Sequence, residues 1–188
     1  YNQVFEEGTL SFQGEKGGRT LAAQEFEVTA TTTVQDWMSF VEQALGIQKP
    51  PGPDPINVIP GDTSGSNIGG DIINGRITFV GNNGVQNAID IGLSGLQLTT
   101  ATGNEQVVLP FGSIQHAVGE SAVTDFVAYD SLGSPLNVRV TMVLESRDST
   151  STTYRWFADS PDNQPTNGSS ISVGTGLVTF DGEGNISE

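Results

Sequence analysis

Between Phe126 and Leu144 the sequence reads FVAYDSLGSPLNVRVTMVL, and no other stretch limits the possible folds so tightly. A short apolar run meets a polar turn, and a longer run of strict alternation follows. Leu136, Val138, Val140, Met142 and Leu144 fall on one side of a strand; Asn137, Arg139, Thr141 and Glu145 fall mostly on the other. Between the runs, Asp130 is placed to accept from backbone N–H groups two residues on, and Gly133 supplies a residue free to take positive φ. Pro135 has no N–H for a ladder, so it belongs where the second strand begins. The stretch predicts an antiparallel hairpin.

The rest of the chain is written in the same idiom. Thr9 to Gln13 and Glu25 to Ala30 alternate on either side of the turn cluster Gly14 to Gly18, which predicts a second hairpin. Thr33 and Asp36 have the spacing of a capping box, and Val34, Trp37, Met38, Val41 and Leu45 form one apolar stripe behind them. Gly46 stands where a helix ends in the left-handed region, with Ile47 as its hydrophobic partner. One helix over about 33–45 is therefore expected, and its aromatic and Met stripe is read as a core face. Ile72 to Val80 reads as a strand, Gly81 to Gly84 as a turn, and Asn87 to Leu93 as the strand completing that hairpin, with Leu96 and Leu98 extending it. Lys49 to Gly70 and Pro161 to Ser170 read as loops by their Pro, Gly and Asn content, the former with at most one strand at Ile56 to Ile59. Ser146 to Thr152 reads as an exposed connection.

The expected fold is mainly β, in two small domains split near Gly112. Residues 1–112 form an antiparallel β domain with one packed helix. Residues 113–188 form an antiparallel sandwich or barrel-like β domain. With 24 Gly in 188 residues and abundant Thr, Ser, Asn and Val, the composition favours strands and turns over helices.

Charge and chemistry narrow the function classes. The net charge is −15, and the seven cations are scattered, so a phosphate backbone or an anionic membrane is an unsuitable partner. With no Cys, disulfides, thiolate zinc sites and thiol nucleophiles are excluded together. His116 is the single histidine, no G-x-S-x-G elbow accompanies it, and a packing or solvated role is expected. Asp181-Gly-Glu-Gly-Asn185 places oxygen atoms at alternate positions but lacks the bidentate Glu of a calcium loop, so a plain turn is read there. Asn82 and Asn83 sit between glycines without the Lys-Ser/Thr of a phosphate cradle. The Asn167-Gly-Ser sequon is a short match expected to go unused. No cofactor and no metal are expected, and the chain is read as a non-enzyme. Beginning at Tyr1 and showing no leader, it is read as part of a longer protein.

The residues of the opening stretch also carry a family resemblance. Phe126, Tyr129, Asp130, Ser131, Gly133 and Pro135 resemble the "vyDslG.p" signature of the bacterial flagellar hook protein. In that family an alternating strand, a Trp-bearing strand and a "G-x-L-x-F-D-x-x-G" ending follow. Here these fall on Leu136 to Glu145, on Trp156 and its neighbours, and on Gly176, Phe180, Asp181 and Gly184. Four elements in order over roughly seventy residues are more specific than any one. The first half more weakly resembles the small ββ-α-ββ modules of flagellins and filament-cap proteins.

The resemblance implies the surface-facing part of a hook subunit, within a curved extracellular tube that carries torque from the motor's rod to the filament. It also implies passage through the flagellar export channel. The implied partners are other copies of the chain, with hook-cap and hook–filament junction proteins. The alternative is an adhesin-like or cap-like binding module, which exposed aromatics clustered on one loop face would favour. The resemblance further implies that the outer domains touch through small, polar faces able to slip, and with a net charge of −15 added the chain by itself is expected to be a monomer with weak, salt-sensitive self-contacts. Trp156 is expected to pack against the Val138, Val140 and Met142 face, with its truncation to Ala costing about 3–5 kcal/mol.

Overall fold

The structure is a computed structural model that describes residues 6–49, 68–92, 95–100, 103–105, 111–113, 115–163 and 171–187. Thirteen strands and one α-helix lie in this range. They run β1 (Gly8–Phe12), β2 (Glu15–Lys16), β3 (Arg19–Thr20), β4 (Gln24–Val28), α1 (Val34–Ala44), β5 (Gly69–Ile73), β6 (Arg76–Val80), β7 (Ile89–Asp90), β8 (Leu96–Thr100), β9 (Gly103–Glu105), β10 (Ser121–Tyr129), β11 (Pro135–Arg147), β12 (Ser151–Asp159) and β13 (Ser172–Asp181). All pairings among them are antiparallel, and the molecule is mainly β, as the patterning predicts. The readings at Ile56 to Ile59 and at the Asn167 sequon lie outside the described residues, as does most of the two Pro-rich loops.

The first core forms where helix and sheet bring their apolar sides together. Strand β1 is central in the order β4-β1-β8-β9, so Leu10 stands between Phe26 and Leu98 and is fully buried. Helix α1 lays Trp37, Met38 and Val41 into the same core, and its C-cap Leu45 joins them. Its ends follow the sequence closely. Thr33 Oγ1 accepts from Asp36 N–H at 3.1 Å, and an Asp36 carboxylate oxygen accepts from Thr33 N–H at 2.9 Å, which completes the capping box. At the other end Gly46 takes φ 61°, its N–H donates to the Gln43 carbonyl at 3.0 Å, and the Ile47 N–H donates to the Glu42 carbonyl at 2.9 Å. That is a Schellman ending, and Ile47 folds back into the core as expected.

Two connections between strands need correction. The hairpin placed between Ile72–Val80 and Asn87–Leu93 does not exist; β5 and β6 pair with each other, and the turn is Asn74-Gly75. Both turn residues have positive φ, 52° and 76°. Asn-Gly is the dipeptide that a two-residue type I′ turn favours, and it outweighs the apolar continuity across it. Strand β7 pairs instead with β2, while Gly81 to Gly84 lead into a 3-10 turn at Val85–Asn87. Likewise, Ser146 to Thr152 is mostly strand: β11 runs to Arg147, β12 begins at Ser151, and a bulge between Leu144 and Ser146 absorbs the change of register.

Strands β10 to β13 form one meander sheet in sequence order. Its inner side holds Thr141, Val143, Arg155, Phe157 and Asp159, all buried, and elements from the first part of the chain lie against it. Ile171, just before β13, belongs to the same core cluster as Leu10 and Trp37. Gln48 Nε2 donates to the Gly174 carbonyl at 3.0 Å, and the Gly84 N–H donates to the Val118 carbonyl at 2.9 Å. Val143 packs so closely on Gly84 that a Cβ there would meet its Cγ2 at 2.6 Å. The second layer behind this sheet is thus supplied by the first half.

This parity places Trp156 differently from its expected role. It lies on the same side as Met142, its register partner, but that is the outer side, and the indole is only half-buried. The ring lies over the two glycines of β13; a Cβ on Gly176 would stand 2.8 Å from its Cζ2. The aromatic at the centre of the buried side is Phe157, 2% exposed.

Candidate interaction surface

The signature residues gather at the ends and on the outer side of the meander sheet. At its first turn Asp130 Oδ1 accepts from the N–H groups of Leu132 and Ser134, both at 2.8 Å. The Gly133 N–H donates to the Asp130 carbonyl at 3.0 Å, and the Asp130 N–H to the Ser134 carbonyl at 3.0 Å. Gly133 sits at φ 81°.

The second D-x-x-G segment repeats this arrangement bond for bond. Asp181 Oδ1 accepts from Glu183 N–H at 3.0 Å and Asn185 N–H at 2.8 Å. The Gly184 N–H donates to the Asp181 carbonyl, the Asp181 N–H donates to the Asn185 carbonyl, and Gly184 has φ 87°. Beyond it the chain turns back along β13, with Ile186 bridged to Phe180 and the Ser187 N–H donating to the Thr179 carbonyl at 2.8 Å. These bonds hold the Asp181 carboxyl below the usual carboxylate range, those from Asn185 first among them. Ser131 and Leu132 occupy the exposed tip of the first turn, and Pro135 opens β11 as expected.

The hairpin between β11 and β12 has a related acceptor that the sequence reading missed. Asp148 accepts from the N–H and hydroxyl groups of Thr150 and Ser151, and its pKa falls to about 2. The D-S-T-S run was the available signal, since Asp followed by hydroxyl residues favours such turns.

The outer side of the sheet is the larger feature. It presents Val138, Val140 and Met142 from β11, Tyr154 and Trp156 from β12, and Val178 and Phe180 from β13, each half-buried. Tyr154 meets Phe180 edge to face at 6.0 Å. Phe126, 50% exposed, and Leu144, 37% exposed, extend the patch at its margins. The strands carry no charged side chain on this side until Arg147, which the bulge turns outward at the far rim. Charged residues lie on the inner side instead, where they are paired. Arg139 donates to both oxygens of Asp125 at 2.8 and 3.0 Å, and Arg155 to both oxygens of Glu145 at 2.6 and 2.8 Å. The sequence placed the apolar alternation of β11 correctly, but read it as the core face.

No protein-family model, curated protein or solved structure matches this chain. Among the described residues no group of three or more His, Asp and Glu side chains is placed to hold a metal ion. His116 is exposed. A buried ion pair lies at the join between the two halves. There Lys16 Nζ lies 2.9 Å from Asp159 Oδ2 and donates to the Gly46 carbonyl at 2.9 Å. The two side chains are 5% and 7% exposed. Burial raises the Asp159 pKa, against the pull of Lys16 and Arg139. Arg19, Arg139 and Lys16 border a small cleft beside this pair, and each has a carboxylate partner. Such a join holds surfaces in place.

Proposed function

We propose that this chain is the surface-facing part of a bacterial flagellar hook subunit, a structural element of the extracellular tube between motor rod and filament. The observation that carries the reading is the pair of D-x-x-G turns. They are closed by the same four backbone and carboxylate bonds at opposite ends of one meander, with the Trp-bearing strand between them. Every segment of the signature thus contributes to one sheet, in order, which is what a common structural origin of the motif requires. The lack of Cys suits export as an unfolded chain, and a broad surface without a polar constellation suits contact geometry over catalysis. The partners are other copies of the chain, with cap and junction proteins at the ends of the tube. Immunogold labelling of the source cells with antibody to this chain tests the reading. Label confined to the short curved segment next to the cell body is expected; label over the cell wall overturns it.

A second reading, a cap-like or adhesin-like binding module, draws support from the tip of the first hairpin. Tyr129 and Leu132 are 71% and 89% exposed there, as an anchor for another surface would be. Gold at the filament tip is its signature.

A further inference from the structure

We propose that the outer side of the β10–β13 sheet is a docking face for a second copy of this chain, sheet against sheet. The proposal goes beyond the hook reading and rests on the face's own chemistry.

Three observations converge. The first is charge. Copies of a chain at −15 repel each other over most approaches, yet this face is uncharged from Ala122 across to Phe180, with Arg147 only at the rim. A basic partner would seek the acidic remainder of the surface. A copy of the chain offers a face equally free of charge, so apolar contact forms there with the least repulsion. The second is shape. Gly174 and Gly176 let the Trp156 indole lie down on the sheet, so the tallest side chain does not hold a facing sheet away. Sheets then pack at about 10 Å.

The third is size. Four strands of nine to thirteen residues present a face of roughly 500 Å², so a pair covers about 1,000 Å². That is the lower bound of a specific interface, the scale of a reversible contact. Net charge alone predicts a monomer; this face supplies the attraction that the charge count leaves out. Burying it against a copy builds a sandwich whose two sheets come from two chains.

Sedimentation equilibrium over about 1 µM to 1 mM brackets the affinities of interfaces of this size. The parent chain is expected to dimerise within that range. Association should tighten as salt rises, because screening removes the repulsion between acidic copies. Met142→Glu and Met142→Lys each place a charge mid-face and should weaken the dimer at least tenfold, while a mixture of the two recovers association. Leu144→Lys, at a more exposed position, should weaken it less, and it serves if the central variants melt early by circular dichroism. A parent that stays monomeric up to 1 mM overturns the proposal, because the face is then left bare or covered by the same chain. So does a dimer whose strength is the same in all three variants, because another surface then carries it. Gold label away from the hook together with a dimer lost in Met142→Glu sinks the hook reading and leaves the face standing. Label on the hook with a monomeric parent does the reverse.

Discussion

Gly46 and Gly133 both hold positive φ, 61° and 81°, yet their surroundings differ, and so should the effects of replacing them. Around Gly133 there is open space, so Gly133→Ala meets only the cost of a left-handed backbone, about 1–2 kcal/mol. At Gly46 an added Cβ would also stand 2.8 Å from Ile171 Cγ2 and 3.2 Å from Asp159 Oδ1. Gly46→Ala should therefore lower stability more than Gly133→Ala in chemical denaturation; equal losses would mean that the helix end is not pinned against the sheet. Single side chains also set a pH dependence. Asp148 has a folded-state pKa near 2, below the usual value of about 4. The stability it brings is complete above pH 4 and is lost as pH falls through about 2. Carboxyl NMR should place its midpoint there, together with loss of protection at the Thr150 and Ser151 amides. At this scale the sequence was most readable: Thr33, Asp36, Gly46, Asp130 and Gly133 act through neighbours only a few positions away, and local spacing carries that information.

Strands show where such reading fails. Alternation in β11 separated the two sides correctly, but the rule that the more apolar side turns inward chose the wrong one. Thr141, Val143, Arg155 and Asp159 go inward because distant residues, Lys16 and the chain around Gly46 and Gly84, meet them there. No pattern within β11 or β12 encodes that encounter. The consequence for mutation is direct. Phe157→Ala should cost about 3–5 kcal/mol, as for a buried aromatic, and Trp156→Ala clearly less. Thermal melts of the two variants side by side check the assignment, and a larger loss at Trp156 would reverse it. The candidate docking face was therefore visible as an apolar stripe, and only its outward direction had to come from the fold. The missed turn at Asn74-Gly75 is different, since its signal lay in the sequence and was overridden by the flanking isoleucines.

For the molecule as a whole the Lys16–Asp159 pair is the most exacting contact, because neither charge has water to return to. Asp159→Asn leaves Lys16 buried without its counter-charge and should cost about 3–5 kcal/mol, whereas Lys16→Met with Asp159→Leu should restore much of the loss. Equilibrium unfolding of the single and double variants decides this, and equal losses would show that the pair matters only by its shape. The two four-stranded sheets also differ in how far apart in the chain their partners lie. Within the meander β10, β11 and β12 follow one another through short turns centred on Asp130 and Asp148, while β1 must find β8, Leu10 beside Leu98. Loop closure makes near pairings fast and distant ones slow. A chain emerging unfolded would then assemble its last sheet first, and that sheet would wait with both sides wet. Its polar inner side, with Arg155 already clasped by Glu145 and Arg139 by Asp125, tolerates that interval. Pulsed hydrogen exchange during refolding should protect β11 and β12 before β1 and β8. The slow step of refolding would then be the arrival of the N-terminal strands on a template already built.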